Sequence, residues 1–377
     1  MSQAAVSSQI ATRPLVKGGA LDLLRFLAAF FMIFHHAAFA APTPLGDIHP
    51  VFERGYLATN FFLIVSGYVL GRIYGERVLN SGISHGAFFM KRAMRVIPAH
   101  LIMVGAFVAL VLGAGLFGLQ PTNPEWFDWS QLPAQLFLVQ AIFVPGGKGW
   151  NAPSWSLSAL LVCYVLFPFF WRSMSRSVRG YAALALGVAT VALMDLITHA
   201  LFASPVYQMP LNLGVIRGVT MFLLGVCLAR FSLTVDLKPA AAYALMAAGV
   251  AMLVGIQFAG RFDFISTMSV AAIVVAAGAM PVNRPSKILQ TGALVAFAIF
   301  ITNEFVRVVY FGMAEVLDAR FAFDQATQWL IWWGDPIAAV AFAIGFHYLV
   351  DMPTQEWIRK RLPKPRPTAK FRHPVAA

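Results

Sequence analysis

"LDLLRFLAAFFMIFHHA", residues 21–37, is apolar enough to enter a lipid bilayer, yet it carries Asp22, Arg25 and the adjacent pair His35 and His36. A helix needs about 20 largely apolar residues to cross a bilayer, and charge inside such a helix is costly and tends to mark a working site. Comparable stretches recur near 57–74, 96–118, 155–172, 179–199, 213–231, 239–258, 264–281, 291–312 and 330–351, with the first running over 22–41. Of 377 residues, 59% are hydrophobic and 12% charged, against about 25% charged in a soluble domain. The expected fold is therefore all-α: a polytopic membrane bundle of about ten transmembrane helices with N- and C-termini cytoplasmic. Its parts are a cytoplasmic tail at 1–20, the ten-span domain at 21–352 and a basic, Pro-rich cytoplasmic tail at 353–377, expected to be a disordered extension held near anionic lipid.

The chain is basic, with 28 Lys+Arg against 16 Asp+Glu, and the placement of those bases argues for membrane orientation, not nucleic acid. Arg25, Arg217 and Arg307 aside, the outer segments hold Arg54, Lys148, Arg261 and Arg320. Everything else falls in the inner segments and the C-terminal tail. Such asymmetry is the positive-inside pattern. "AAFAAP" at 37–42 has the small-residue look of a signal cleavage site, but cleavage there would flip the parity that the loop charges support. Cys163 and Cys227 both fall within spans, so neither a disulfide framework nor a metal cluster is indicated. The longest outer segment, 119–154, has an apolar run at 132–144 that is too short to cross and is expected to lie in the interface or re-enter.

Arg25 and His36 are separated by ten residues, and eleven steps of about 100° bring them back to one helix face, about 16 Å apart along the axis. One face thus carries a fixed cation near the inner surface and a titratable imidazole near the outer one, with Asp22 a turn below Arg25. A plainer account is that Arg25 snorkels with Asp22 while the histidines anchor the outer interface. His35 points about a quarter-turn away and is expected to tolerate change better than His36.

Other spans carry comparable features. Asn60, Ser66 and Gly67 lie within 57–74, where Ser-Gly can simply serve close helix packing. Arg92 and Arg95 share a face at the inner mouth of the third span; guanidinium pairs suit phosphates, and positive-inside bias alone accounts for them as well. Trp155 with Ser156 and Ser158 opens the fourth span, Arg217 lies two turns inside the sixth, and Asn303, Glu304 and Arg307 fall in the outer half of the ninth. Glu304 and Arg307 can form a self-neutralising pair, or Glu304 can act with His36. Polar groups gathered at one depth point to an outer-leaflet cavity. A secondary transporter would also place Arg, His and Glu in its spans, but the chain shows no two-fold repeat and no matched pair of Gly/Pro-broken helices.

These residues together resemble the membrane-bound acyltransferase-3 family. Arg25, ten residues and His36 match its first-span motif. "FFLIVSGYVL" (61–70) and "RAMRVIP" (92–98) are similar to its second- and third-span motifs, and "PSWSLS", "MFLLGVCLA" and "FHYLVDMPTQEWIRKRL" to later ones, in order from about residue 19 to 362. The resemblance implies an integral enzyme of a bacterial cytoplasmic (inner) membrane, moving an acyl group, often acetyl, from cytoplasmic acyl-CoA to a hydroxyl of a surface polysaccharide or other glycan beyond the outer face. No permanently bound cofactor, metal or nucleic acid is implied; the partners are acyl-CoA, the glycan acceptor and the bilayer. It also implies roles: His36 as the catalytic imidazole, acting as general base on the acceptor hydroxyl or through a transient acyl-histidine; Arg25, Arg92 and Arg95 on the donor; and Ser66 and Gly67 along the passage. From their own positions, Glu304 is the expected auxiliary of His36, and Asn60, Trp155, Ser156, Ser158, Arg217 and Asn303 are expected along the passage or acceptor site. Leu160 and Leu161 stand where many relatives have Glu, and "AFAIFITN" (296–303) departs from the usual ninth-span pattern, which leaves the acceptor and the auxiliary acid open.

Overall fold

A computed structural model of the chain describes residues 15–361 apart from 81, 122, 146–148, 260 and 261; Lys148 and Arg261, most of the anticipated N-terminal tail and the C-terminal tail from 362 lie outside the described residues. Ten long helices account for the anticipated spans: α1 Ala20–Ala37, α2 Tyr56–Leu79, α3 His85–Leu116, α4 Trp155–Ser177, α5 Tyr181–Phe202, α6 Gly214–Thr234, α7 Pro239–Ala259, α8 Asp263–Ala279, α9 Lys287–Phe321 and α10 Gln325–Phe346. No strand is present among the described residues. Nine of the ten helical segments are long and apolar enough to cross a membrane, and Asp263–Ala279 falls just short at 17 residues, the lower limit for a span. This is an all-α polytopic membrane protein.

Several boundaries move outward from the sequence-based expectation, for local reasons. α3 begins at His85, where Ser84 caps it by accepting a hydrogen bond from Ala87 N–H at 3.2 Å. Lys91, Arg92 and Arg95 therefore lie within the helix, on the turns that precede the apolar run, because long basic side chains let a helix start outside the apolar zone. α10 begins at the cap Asp324, which accepts from Thr327 N–H at 2.9 Å. At the other end α10 passes through one π-helical turn, His347–Asp351, into α11 (Met352–Arg361). The first residues of the tail, anticipated as disordered, are thus helical: Ile358 is buried, and Gln355 donates to the carbonyls of Met94 and Arg95.

α2 and α6 form the tightest contact. A Cβ at Gly67 would lie 2.1 Å from the Phe222 carbonyl oxygen, and one at Gly225 would lie 2.0 Å from that of Ile64. The two backbones touch, which only glycine allows, as in small-residue packing generally. Gly67 therefore holds two helices together and does not line a passage. Ser66 Oγ donates to its own helix at Phe62 O, 2.7 Å. α1 and α9 run side by side in the same direction, with Gly18 O accepting from Ser286 N–H at one end, Phe26 against Gly292 next, and His36 against Asn303 at the other.

The run 132–144 does not lie flat on a surface. It forms a short helix, Leu132–Leu136, and then folds inward, burying Gln135, Leu138, Gln140 and Ala141. The Ala141 N–H donates to Ser158 Oγ at 3.3 Å, and Val215 N–H donates to Ala141 O at 3.0 Å. Its backbone is thus satisfied by neighbouring spans, which is the condition for irregular chain at membrane depth.

Candidate active site

The buried face of α1 includes Ala29 and Met32, which lie between Arg25 and His36 at helical spacing, so both polar ends of that face turn toward the bundle. At the far end His36 Nδ1 lies 2.5 Å from Asn303 Oδ1. The Asn303 amide nitrogen faces two carbonyls of its own helix, Ile299 O at 2.9 Å and Phe300 O at 3.0 Å. A carbonyl only accepts, so the amide NH2 must point there and the amide oxygen toward His36. Nδ1 of His36 therefore carries a proton, and in the neutral ring the lone pair is on Nε2, the arrangement a general base or nucleophile needs. Asn303, expected only in the passage, is the residue that orients the imidazole.

His35 is also held. Its Nδ1 donates to Phe52 O at 3.1 Å, and its ring packs on Gly55, where a Cβ would come within 2.1 Å. The two imidazoles are 5.6 Å apart. His35 is thus fitted into a slot, contrary to the expectation that it tolerates change.

Glu304 sits beside Asn303 in sequence and forms a two-bond fork with Arg307, at 2.7 and 3.1 Å, both side chains buried. The Arg307 guanidinium lies 4.8 Å from the Phe39 ring and 5.4 Å from that of Trp126. Asp335, on α10, is within electrostatic reach of both members of the fork. That acid was not singled out in the sequence, although a carboxylate in the middle of an apolar span is a signal that could have found it.

A second polar layer surrounds Arg217. Its Nε donates to Asn60 Oδ1 at 2.7 Å and its Nη2 to Tyr56 O at 2.7 Å, and its guanidinium lies 4.9 Å from the Trp155 ring. Asn60, Trp155 and Arg217 therefore do come together. Ser156 Oγ donates to Pro153 O in its own turn, and Ser158 anchors the re-entrant segment. Both serines serve backbone, so the passage role expected of them is replaced by a supporting one.

At the other end of α1, Asp22 Oδ2 accepts from Gly18 N–H at 2.5 Å and Oδ1 pairs with Arg25 at 3.8 Å. Arg25, Arg92 and Arg95 all lie within electrostatic reach of the buried Tyr164, so the three arginines converge although they come from two helices. Arg92 stacks 4.4 Å from the Tyr74 ring, and its Nε is buried with no hydrogen-bond partner among the described residues. Arg95 donates to Asp351 Oδ1 at 2.7 Å, and the other oxygen of Asp351 pairs with His347 at 3.4 Å. Asp351 is thus the structural counter-charge of Arg95, held by the π-turn, a feature often found at functional sites. Tyr164 carried no sequence signal beyond its place on the span that begins at Trp155.

A many-helix membrane bundle with an oriented histidine at one end of a span and an arginine cluster at the other defines a class, an intramembrane enzyme or carrier with two separated polar ends. The family model described as an acyltransferase domain matches residues 19–352, and the chain belongs to that family, acyltransferase-3. It is 32% identical over 158 residues to "Acyltransferase MdmB" of Streptomyces mycarofaciens, a match covering 40% of this chain and 38% of that protein. It is 27% identical over 186 residues to "Protein 2 in picA locus" of Rhizobium radiobacter, covering 46% of this chain and 91% of that protein. The chain thus spans about two-fifths of the length of MdmB. No solved structure matches it significantly.

Proposed function

We propose that the protein is an acyltransferase that takes an acyl group from acyl-CoA at the cytoplasmic, arginine-bearing end and delivers it to a hydroxyl of a glycan at the outer, His36-bearing end. The observation that carries this is the tautomer of His36 fixed by Asn303, on the same helix face as Arg25. Family membership favours acyl transfer over solute transport. The setting proposed is a bacterial inner membrane, oriented with the basic ends inside.

Arg92, Arg25 and the exposed edge of Arg95 receive the donor's phosphates, for which guanidinium groups are well suited. The uncharged arm of the donor then spans the roughly 16 Å between Arg25 and His36, so the charged head stays at the cytoplasmic end. At the far end Nε2 of His36 accepts the proton of the acceptor hydroxyl as its oxygen attacks the thioester carbonyl. The new C–O bond forms, the C–S bond breaks, and the imidazolium returns the proton to the departing thiolate. Asn303 keeps Nδ1–H bonded throughout. Purified protein given acetyl-CoA and an envelope glycan should release thiol and yield an acetylated glycan by mass spectrometry. A His36→Ala protein that acylates as fast as wild type would sink the proposal.

A further inference from the structure

Glu304, Arg307 and Asp335 form a buried cluster of two carboxylates and one guanidinium beside the His36–Asn303 pair. Arg307 gives two hydrogen bonds to Glu304 and also lies within electrostatic reach of Asp335. Asp335 is only 1% exposed, and its Oδ1 has no hydrogen-bond partner among the described residues. A buried carboxylate oxygen left unmatched is costly unless something supplies a proton, a hydrogen-bond donor or a positive charge. The cluster is roofed by two aromatic rings, Phe39 and Trp126, packed edge to face at 6.2 Å. Phe39 is 57% exposed, so one side of the roof is open. The surface at that end repeats the charge bias: Asp47, Glu53, Glu125, Asp128 and Asp324 are exposed there against Arg320 among the described residues.

We infer that Asp335, the Glu304–Arg307 fork and the Phe39–Trp126 roof form the acceptor-binding mouth, and that it selects hydroxyl-bearing rings that are uncharged or carry an amine while rejecting those that carry a carboxylate or phosphate. This rests on the acyl-transfer reading above and narrows its acceptor. Aromatic rings give a ring-shaped ligand a flat apolar surface. The spare Asp335 oxygen takes a donor from the ligand, and an anionic ligand meets the carboxylates of the cluster in a site that excludes water. The acidic rim steers encounters in the same sense.

The test uses the full-length protein in lipid nanodiscs at low salt, with three probes followed by ligand-observed NMR: methyl glucosaminide, methyl glucoside and methyl glucuronide. The glucosaminide and glucoside should bind at least about tenfold tighter than the glucuronide. Asp335→Asn should shrink that gap by about tenfold, and Trp126→Ala should weaken binding of the glucosaminide and glucoside at an unchanged melting temperature. Equal or tighter binding of the glucuronide, no binding of any probe, or a gap unaltered in Asp335→Asn would overturn the inference. Acetyl transfer measured on the same sample separates the two claims. The expected charge order with no transfer to any acceptor would sink only the transferase reading, and transfer with a flat or reversed order would sink only this one.

Discussion

Asn303 on α9 accepts the Nδ1 proton of His36 on α1 at 2.5 Å, and its own NH2 is tied to two carbonyls of α9 so that it cannot turn away. The bond joins two helices that run side by side, so the orientation of the His36 imidazole depends on the register between them. Asn303→Ala should therefore lower kcat by about 10- to 100-fold, a usual effect of removing a group that orients a reactive imidazole. The donor KM should stay near wild type, because Arg25 and Arg92 are untouched. Asn303→Asp still accepts the Nδ1 proton and should retain more activity than the alanine variant. Equal kcat in all three proteins would remove Asn303 from this role.

Arg95 has a structural duty besides any contact with donor. Arg95→Ala leaves Asp351 buried without its guanidinium, and losing one partner of a buried pair costs about 3–5 kcal/mol at full burial. Arg95 is one-third exposed, so a loss nearer about 1–3 kcal/mol is expected. Pairing the change with Asp351→Asn should restore most of the melting temperature while donor KM stays raised. A double variant with wild-type KM would show that Arg95 only serves the fold.

Arg92 differs, since its Nε is buried and unmatched among the described residues and its neighbour is the Tyr74 ring. Arg92→Ala should raise the donor KM about tenfold, the loss of one charge-assisted phosphate contact of about 1.4 kcal/mol, with little change in melting temperature. Unaltered donor kinetics would exclude it from the donor site.

Gly67→Ala should be far more damaging than Ser66→Ala, although the two residues are adjacent. The added methyl meets the Phe222 carbonyl at 2.1 Å, and overpacking of this kind costs about 1–3 kcal/mol or more. Ser66 loses only an intrahelical bond to Phe62 O. Equal thermal stability of the two variants in detergent would contradict the close α2–α6 contact.

The span pattern and the polar ends of α1 were legible because an apolar run of fixed length, interrupted by Arg25 and His36 on one face, leaves few alternatives. What sequence could not supply was helix-to-helix register. Asn303 and Glu304 stand at the same depth, yet adjacent residues differ by about 100° around a helix, and only the packing of α9 on α1 decides which one faces Nδ1. Gly67 was ambiguous because a small residue suits both a passage and a tight contact, and the partner backbone at Phe222 is remote in sequence. The start of α3 was hidden because Lys91, Arg92 and Arg95 read as interface charge, although their long stems permit a helix to run through them. Tyr164 and Asp335 acquire meaning only from neighbours on other helices.

The central claim is that the acyl group reaches the far end of the α1 face while the donor's nucleotide head stays at the cytoplasmic end. Sealed vesicles with the cytoplasmic face outward, given acyl-CoA labelled separately in the acyl group and in the adenine, test it most directly. Acyl label should become attached to enclosed glycan while adenine label stays outside, and His36→Ala should abolish the transfer. Adenine label inside the vesicles, or undiminished acylation by His36→Ala, would contradict the account.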